Sequence, residues 1–215
     1  MESPVTILLE GIQGCGKGTQ GKALAMRLGH RLIGSGDLCR ERCGSDPQFD
    51  AVHGGTIRSG KPLSDDVVEP LVLDTVRHLD YGRPRILEGF PRNHPQFLML
   101  NDLLSERDES GDVVVFHLVL PDGKAMERAL KRNRPDDTPR AIWERFQFYH
   151  RESPAILDAF RAVGWTVYDI NAEFEADDVT QKILSALDKY RLLRRLSTPS
   201  CVAMAGTSPR GDNGC

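Results

Sequence analysis

The chain has 215 residues, 40% apolar and 27% charged, with a formal charge of −3. That length suits one domain with small insertions, and the composition excludes a low-complexity chain. The mildly acidic balance excludes a protein that binds nucleic acid through bulk positive charge, but leaves room for a local basic cleft.

The first apolar run, VTILL (5–9), is followed by EGIQGCGKGTQ (10–20). A near-continuous apolar run of this length reads as a strand buried on both faces of a parallel sheet. The glycines after it let successive N–H groups face an anion, and the helix expected over 17–29 adds the positive end of its dipole. Lys17 supplies a mobile charge for outer phosphates. A strand, a G-x4-G-K core and a helix in that order point to a nucleotide phosphate site at Gly14, Cys15, Gly16, Lys17, Gly18 and Thr19. The residue after Lys17 is Gly18, with the hydroxyl one place later at Thr19, which departs from the general phosphate-loop pattern.

Four more such runs follow: HRLIG (30–34), RPRILE (83–88), DVVVFHLVL (112–120) and GWTVYDI (164–170). Helical patterns lie at 37–45, 65–79, 94–107, 122–133, 139–163 and 176–196. Alternation of strand and helix predicts a doubly wound α/β fold. The fifty residues between the second and third runs exceed a simple crossover and predict a small helical insertion. NRPDDTPR (133–140) is a polar loop ending in a helix start, with Asp137 or Thr138 as cap and Pro139 in the first turn. Ile142, Phe146 and Tyr149 share a helix face and are expected in the core, as are the two Trp and eight Phe. Arg140, Arg151 and Arg161 are expected on solvated faces, and the single histidines to carry little. The tail STPSCVAMAGTSPRGDNGC is expected to be disordered, with RRLS (194–197) a chance basic motif.

Cys15, Cys39, Cys43, Cys201 and Cys215 form no CxxC pair, so no zinc site is expected and a reducing compartment is the simpler reading. No apolar run reaches the roughly 20 residues of a membrane span, and no basic flank precedes an apolar N-terminal stretch. The expectation is a soluble cytoplasmic protein with neither membrane nor nucleic acid as partner.

GKGTQ, then SGD (35–37), EGFPRN (88–93) and RPDD (134–137), taken together and in that order, resemble the adenylate kinase family of nucleoside monophosphate kinases. The resemblance covers residues 4 to 190. It implies a phosphate-loop, three-layer α/β/α kinase domain over 1–190 with a five-stranded parallel sheet. Its core would be 1–34, 66–132 and 139–190. A small monophosphate-binding insertion would occupy 35–65 and a lid 133–138, with 197–215 as a disordered tail. The lid is as short as in the members that carry no zinc.

By position, the resemblance places ATP on residues 14–19 with Arg128 and Arg132, and the donor adenine in the loop Asn171-Ala172-Glu173. The acceptor monophosphate falls to Ser35, Arg40, Lys61, Pro62, Leu63, Gly89, Phe90, Pro91, Arg92, Arg134 and Arg145, with Gln96 reading adenine. Lys17, Arg92, Arg132, Arg134 and Arg145 would carry catalysis. Three departures stand out. Gln13 replaces the usual loop proline, Cys15 offers an oxidisable thiol, and Glu88 replaces the aspartate expected to hold Mg²⁺ through water. No direct metal ligand is implied, and the short-lid members are mostly monomeric.

Phosphoryl transfer between nucleotides brings two polyanions together, and guanidinium groups suit it because each grips two phosphate oxygens and stays charged. Arg128 and Arg132 share a helix face. The acceptor is an ionised phosphate oxygen, so no general base is needed and catalysis is positional and electrostatic. The expected reaction is ATP + AMP to 2 ADP. Asn93 after GFPR also occurs in UMP/CMP kinases, which keeps that alternative open. A hydrolase or GTPase switch lacks its NKxD-type signature here. A silent nucleotide-binding module is the remaining reading, although Lys17, Arg92 and Arg132 are all present.

Overall fold

A computed structural model describes residues 6–59, 61, 63–79, 82–134 and 137–197. Five strands, β1 (Thr6–Gly11), β2 (Arg31–Gly34), β3 (Arg85–Glu88), β4 (Val113–Val119) and β5 (Thr166–Asn171), form one parallel sheet in the order β2-β3-β1-β4-β5. Each falls within a residue or two of an apolar run in the sequence. β1 is central, with Leu8 opposite Leu87 on one side and Val115 on the other.

The runs are continuously apolar because both faces are covered. Ile7, Leu9, Ile86, Val114 and Phe116 pack against α1 (Lys17–Leu28), α7 (Asp122–Arg132), α9 (Ala176–Ser197) and the start of α8 (Pro139–Ala162). Leu8, Leu87, Val113 and Val115 pack against α5 (Asp65–Arg77), α6 (His94–Glu106) and the later part of α8. Helix α1, following β1, lies on the first face, and α6, following β3, lies on the second. Two adjacent strands whose helices leave to opposite faces open a crevice at their carboxyl ends. Gln20 fixes the start of α1 there: its carboxamide bonds the Thr180 hydroxyl at 2.7 Å and the Ala176 carbonyl at 2.9 Å on α9.

Between β2 and α5 lie α2 (Ser35–Ser45), the single turn α3 (Pro47–Phe49), a π-helical turn at Asp50–Gly54 and α4 (Gly55–Arg58). α2 begins two residues before the expected 37, because β2 passes straight into it at Gly34. α8 begins as the sequence suggests, with the Thr138 hydroxyl accepting from the Ala141 N–H at 3.2 Å and Pro139 in the first turn. Asp137 does not cap it. Pro62, Asp136, Cys201, Cys215 and the tail from 198 lie outside the described residues. No helix among the described residues is long and apolar enough to cross a membrane.

Two expectations about aromatic residues are corrected. Trp165 is buried and stacks on Phe160, but Trp143 is half exposed. Phe148 and Phe174 line the central cavity instead of the core, with the Lys182 ammonium 3.2 Å from the Phe174 ring centroid. Trp143 and Phe148 lie on faces of α8 that point to solvent or to the crevice, and Phe174 follows β5 outside any helix.

Candidate active site

The loop after β1 turns through Gly11, Gly14 and Gly16 at φ of 137°, 91° and 102°. At Gly14 an added Cβ would lie 2.2 Å from the Ala125 carbonyl oxygen, so the loop packs on α7 only with glycine there. Gly16 is the N-cap of α1 and has no side chain to cap the N–H groups of its first turn. Those donors and the helix dipole face the cavity together. Lys17 curls back over the loop, its ammonium donating to the Gly11 carbonyl at 2.5 Å and the Ile12 carbonyl at 3.0 Å. Cys15 is buried, and burial pushes its thiol pKa up, with Lys17 opposing. A reactive thiol needs the opposite, so the sensitivity expected at this departure is not supported by its surroundings.

One cavity of about 1090 Å³ runs from this loop across the carboxyl ends of the strands. It is lined by residues 14–19 of the loop, by Ser35 and Arg40 of α2, by Lys61 and Leu63, and by Glu88, Gly89, Arg92 and Gln96 around β3. Arg128 and Arg132 reach it from α7, Arg134 from the following loop, and Arg145 from α8. Phe90 and Pro91 do not line it; Phe90 is 1% exposed in the core beneath and is joined to Pro91 by a cis bond.

Asp137 gathers the arginines at one wall. Its fully buried carboxylate accepts from Arg132 at 2.9 and 2.8 Å and from the Gln13 carboxamide at 2.8 Å, and lies 3.7 Å from Arg145. Arg145 also donates to the Gln13 carboxamide oxygen at 3.0 Å. Gln13, where a proline would offer no such group, thus ties the phosphate loop to the 133–138 segment. Burial first, then Arg132 and Arg40, push the Arg134 guanidinium below its usual pKa. Like charges held this close suit a polyanion between them. Arg128 is turned elsewhere: it donates to the Ala172 carbonyl at 2.7 Å and the Glu173 carbonyl at 3.1 Å, clamping the loop after β5.

At the other wall, Ser35 donates to the Gly89 carbonyl at 2.6 Å. Arg92 donates to the same carbonyl at 2.6 Å and to the Ser35 hydroxyl at 3.3 Å. Arg40 pairs with Asp37 within α2. The Gln96 carboxamide is held by the Arg92 N–H at 2.7 Å and by Asp65 at 2.6 Å.

Sequence reasoning passed over three groups here. Glu10 lies buried beside the loop, one carboxyl oxygen without a hydrogen-bond partner, and burial raises its pKa to about 8 against the pull of Lys17 and Arg92. A carboxyl group inside a strand bounded by apolar residues was the available signal. Asp65 gave a weaker one, as a helix-start residue. His117 bonds the Tyr149 hydroxyl at 2.6 Å and Asp169 at 2.7 Å, so Tyr149 faces the cavity rim as well as the core. Arg140, by contrast, is exposed and pairs with Glu144.

The adenylate kinase family model matches residues 9–165. An adenylate kinase of Micrococcus luteus is 33% identical over 189 residues, 86% of this chain and 91% of that one. One of Corynebacterium glutamicum is 33% identical over 85% of this chain and 99% of its own, and one of Bifidobacterium longum 30% identical over the same shares. The glycine loop, the arginine-lined cavity and these likenesses agree: the chain belongs to the adenylate kinase family and is a phosphotransferase.

Proposed function

We propose that this protein transfers a phosphoryl group reversibly from ATP to AMP, giving two ADP. The observation that carries the reading is the single cavity joining the glycine loop, the Arg40–Arg92 wall and the Arg132–Arg134–Arg145 wall. Residues 14–19 would hold the donor phosphates, with Arg128 fixing the loop that cups the donor adenine. Ser35, Arg40, Gly89 and Arg92 would take the acceptor phosphate, Lys61 and Leu63 would border its nucleoside, and Gln96 would meet its base. Lys17, Arg92, Arg132, Arg134 and Arg145 would then surround the phosphoryl group in flight. They screen the repulsion of the two substrates and fix donor and acceptor in line. The attacking phosphate oxygen is already ionised, so no base is required. On this reading, residues 35–65 act as the monophosphate-binding insertion and 133–138 as the lid, which excludes water so that ATP is not hydrolysed. We place the protein in the cytoplasm as a monomer.

Magnesium would arrive with ATP. No cluster of three ligating side chains is present among the described residues. The carboxylates of Glu88 and Asp37 nonetheless approach one point, 3.1 and 3.3 Å from where a Cβ on Gly34 would lie. Two acids at that spacing fit a hydrated Mg²⁺ held mainly by phosphate oxygens. When bound, the ion would neutralise phosphate charge.

A coupled assay with ATP and each of AMP, CMP, UMP and GMP tests the proposal. AMP should be the best acceptor. UMP as the best acceptor would favour the UMP/CMP reading, ATP loss without any acceptor a hydrolase, and no turnover at all a silent module.

A further inference from the structure

The base end of the cavity carries a chain of hydrogen bonds whose polarity is forced from both ends. Asn93 caps α6: its side-chain oxygen accepts from the Gln96 backbone N–H at 2.9 Å. Its amide nitrogen must therefore face outward, and it donates to Asp65 Oδ2 at 2.7 Å. The other oxygen, Asp65 Oδ1, accepts from Gln96 Nε2 at 2.6 Å. Gln96 Oε1 is fixed separately by the Arg92 backbone N–H at 2.7 Å. A carboxylate can only accept and a backbone N–H can only donate. The Gln96 carboxamide thus has one orientation. Reversal would set its oxygen against the Asp65 carboxylate and its NH₂ against the Arg92 N–H, and Gln96 is 4% exposed, so water cannot repair either contact.

With those two bonds made, Gln96 keeps one N–H and one oxygen lone pair for the cavity that it lines. That pair matches a base edge with a ring-nitrogen acceptor beside an amino donor. Adenine has this edge in N1 and N6, and cytosine in N3 and N4. Hypoxanthine, guanine and uracil present the reverse, a ring N–H beside a carbonyl oxygen. A free amide would turn over and accept either set.

Given the acceptor site proposed above, on which this rests, we infer that Asp65 is a specificity-determining positioning residue: by locking the Gln96 carboxamide it selects amino bases over oxo bases in the acceptor nucleotide. It touches Gln96 and Asn93 and acts through them. Ile57, Leu63 and Val68 line the same cavity and offer the base apolar contact without a hydrogen-bonding side chain of their own.

The test compares AMP with IMP, and CMP with UMP, in both turnover and binding measured by titration calorimetry. For the unaltered protein kcat/KM and affinity should favour the amino member of each pair, by about 10²-fold for the purines. In Asp65→Leu and Asp65→Ala, which both remove the acceptor, the AMP/IMP ratio should fall at least tenfold, through the KM values, while kcat at saturating AMP stays within about threefold. Losses shared equally by AMP and IMP would mean a purely structural role and overturn the inference. If both variants fail to fold, the unaltered protein decides it: equal affinity for AMP and IMP, or for CMP and UMP, overturns it. Binding separates this failure from that of the proposed reaction. Amino preference in binding without turnover would sink the reaction and leave the lock standing; turnover without base preference would do the reverse.

Discussion

The two ends of the cavity are made of different material. At the glycine loop the groups that face it are mostly backbone N–H donors, held by three left-handed glycines and the uncapped start of α1. At the base end they are side-chain amides, held by Asp65 and the cap of α6. Phosphate is the same on every nucleotide, and a backbone donor cannot be reversed, so a rigid turn is enough. A base is identified by the order of its donors and acceptors. A side-chain amide carries both a donor and an acceptor, and it presents them in one order when its neighbours forbid the flip.

The sharpest way to break this division is Lys17→Met. Lys17 sits at the phosphate end and sees nothing of the base. Removing one preorganised positive group should lower turnover about 10²–10³-fold. AMP and IMP rates should fall together, leaving their ratio unchanged, and the melting temperature should stay within a few degrees. A shift in the ratio would show that the two ends are not separable.

Asp137→Ala gives a smaller effect and tests a side-chain network that reaches the phosphate end through Gln13. The carboxylate is fully buried, but Arg132 is 34% and Arg145 19% exposed. A fully buried pair loses 3–5 kcal/mol when one partner is removed. Solvent screening of these arginines should cut that to about 1–2 kcal/mol, or several degrees in melting temperature. With Gln13 also released, turnover should fall roughly tenfold, equivalent to about 1.4 kcal/mol. Thermal melts and steady-state rates check both. A rise in turnover would mean that the contact with Gln13 restrains the enzyme.

The same contrast explains what was legible in the sequence. Strand runs and the glycine loop are read directly, because parallel strands buried on both faces and turns that need left-handed backbone restrict residue type. The arginines could be placed on one cavity from motif order. What Arg128 bonds could not: a guanidinium on α7 reaches either phosphates or the Ala172 and Glu173 carbonyls, and only the distance to the β5 loop decides. Asp65 was hidden for a related reason. At a helix start, an acidic residue is explained by the dipole alone. Its link to Gln96, 31 positions away, arises from α5 and α6 meeting in three dimensions. Trp143 shows the converse, a bulky apolar residue that the tertiary fold leaves outside.

The smallest effect concerns Glu10, a side-chain group buried at the backbone-made end. Its folded pKa of about 8 lies above its ordinary 4.5, so between those values the folded state keeps a proton that the unfolded chain has released. Stability must then fall as pH rises through that window. His30 acts in the opposite sense. Burial, then Arg191, lowers its pKa from 6.5 to about 4, so stability rises with pH between 4 and 6.5. From 4.5 to 6.5 the two slopes oppose each other and the melting temperature should be nearly level. From 6.5 to 8 Glu10 acts without that opposition, at about 1.4 kcal/mol per pH unit, or roughly 2 kcal/mol in all. Cys15 and Cys39 do not interfere, since burial raises both from 9 and they stay protonated there. Glu10→Gln should remove the fall above pH 6.5 and uncover the rise below it. Melting curves of both proteins from pH 4.5 to 8 decide this. An unchanged slope in the variant would mean that Glu10 is ionised in the fold and that the phosphate end holds a fixed negative charge in spite of the burial that disfavours it.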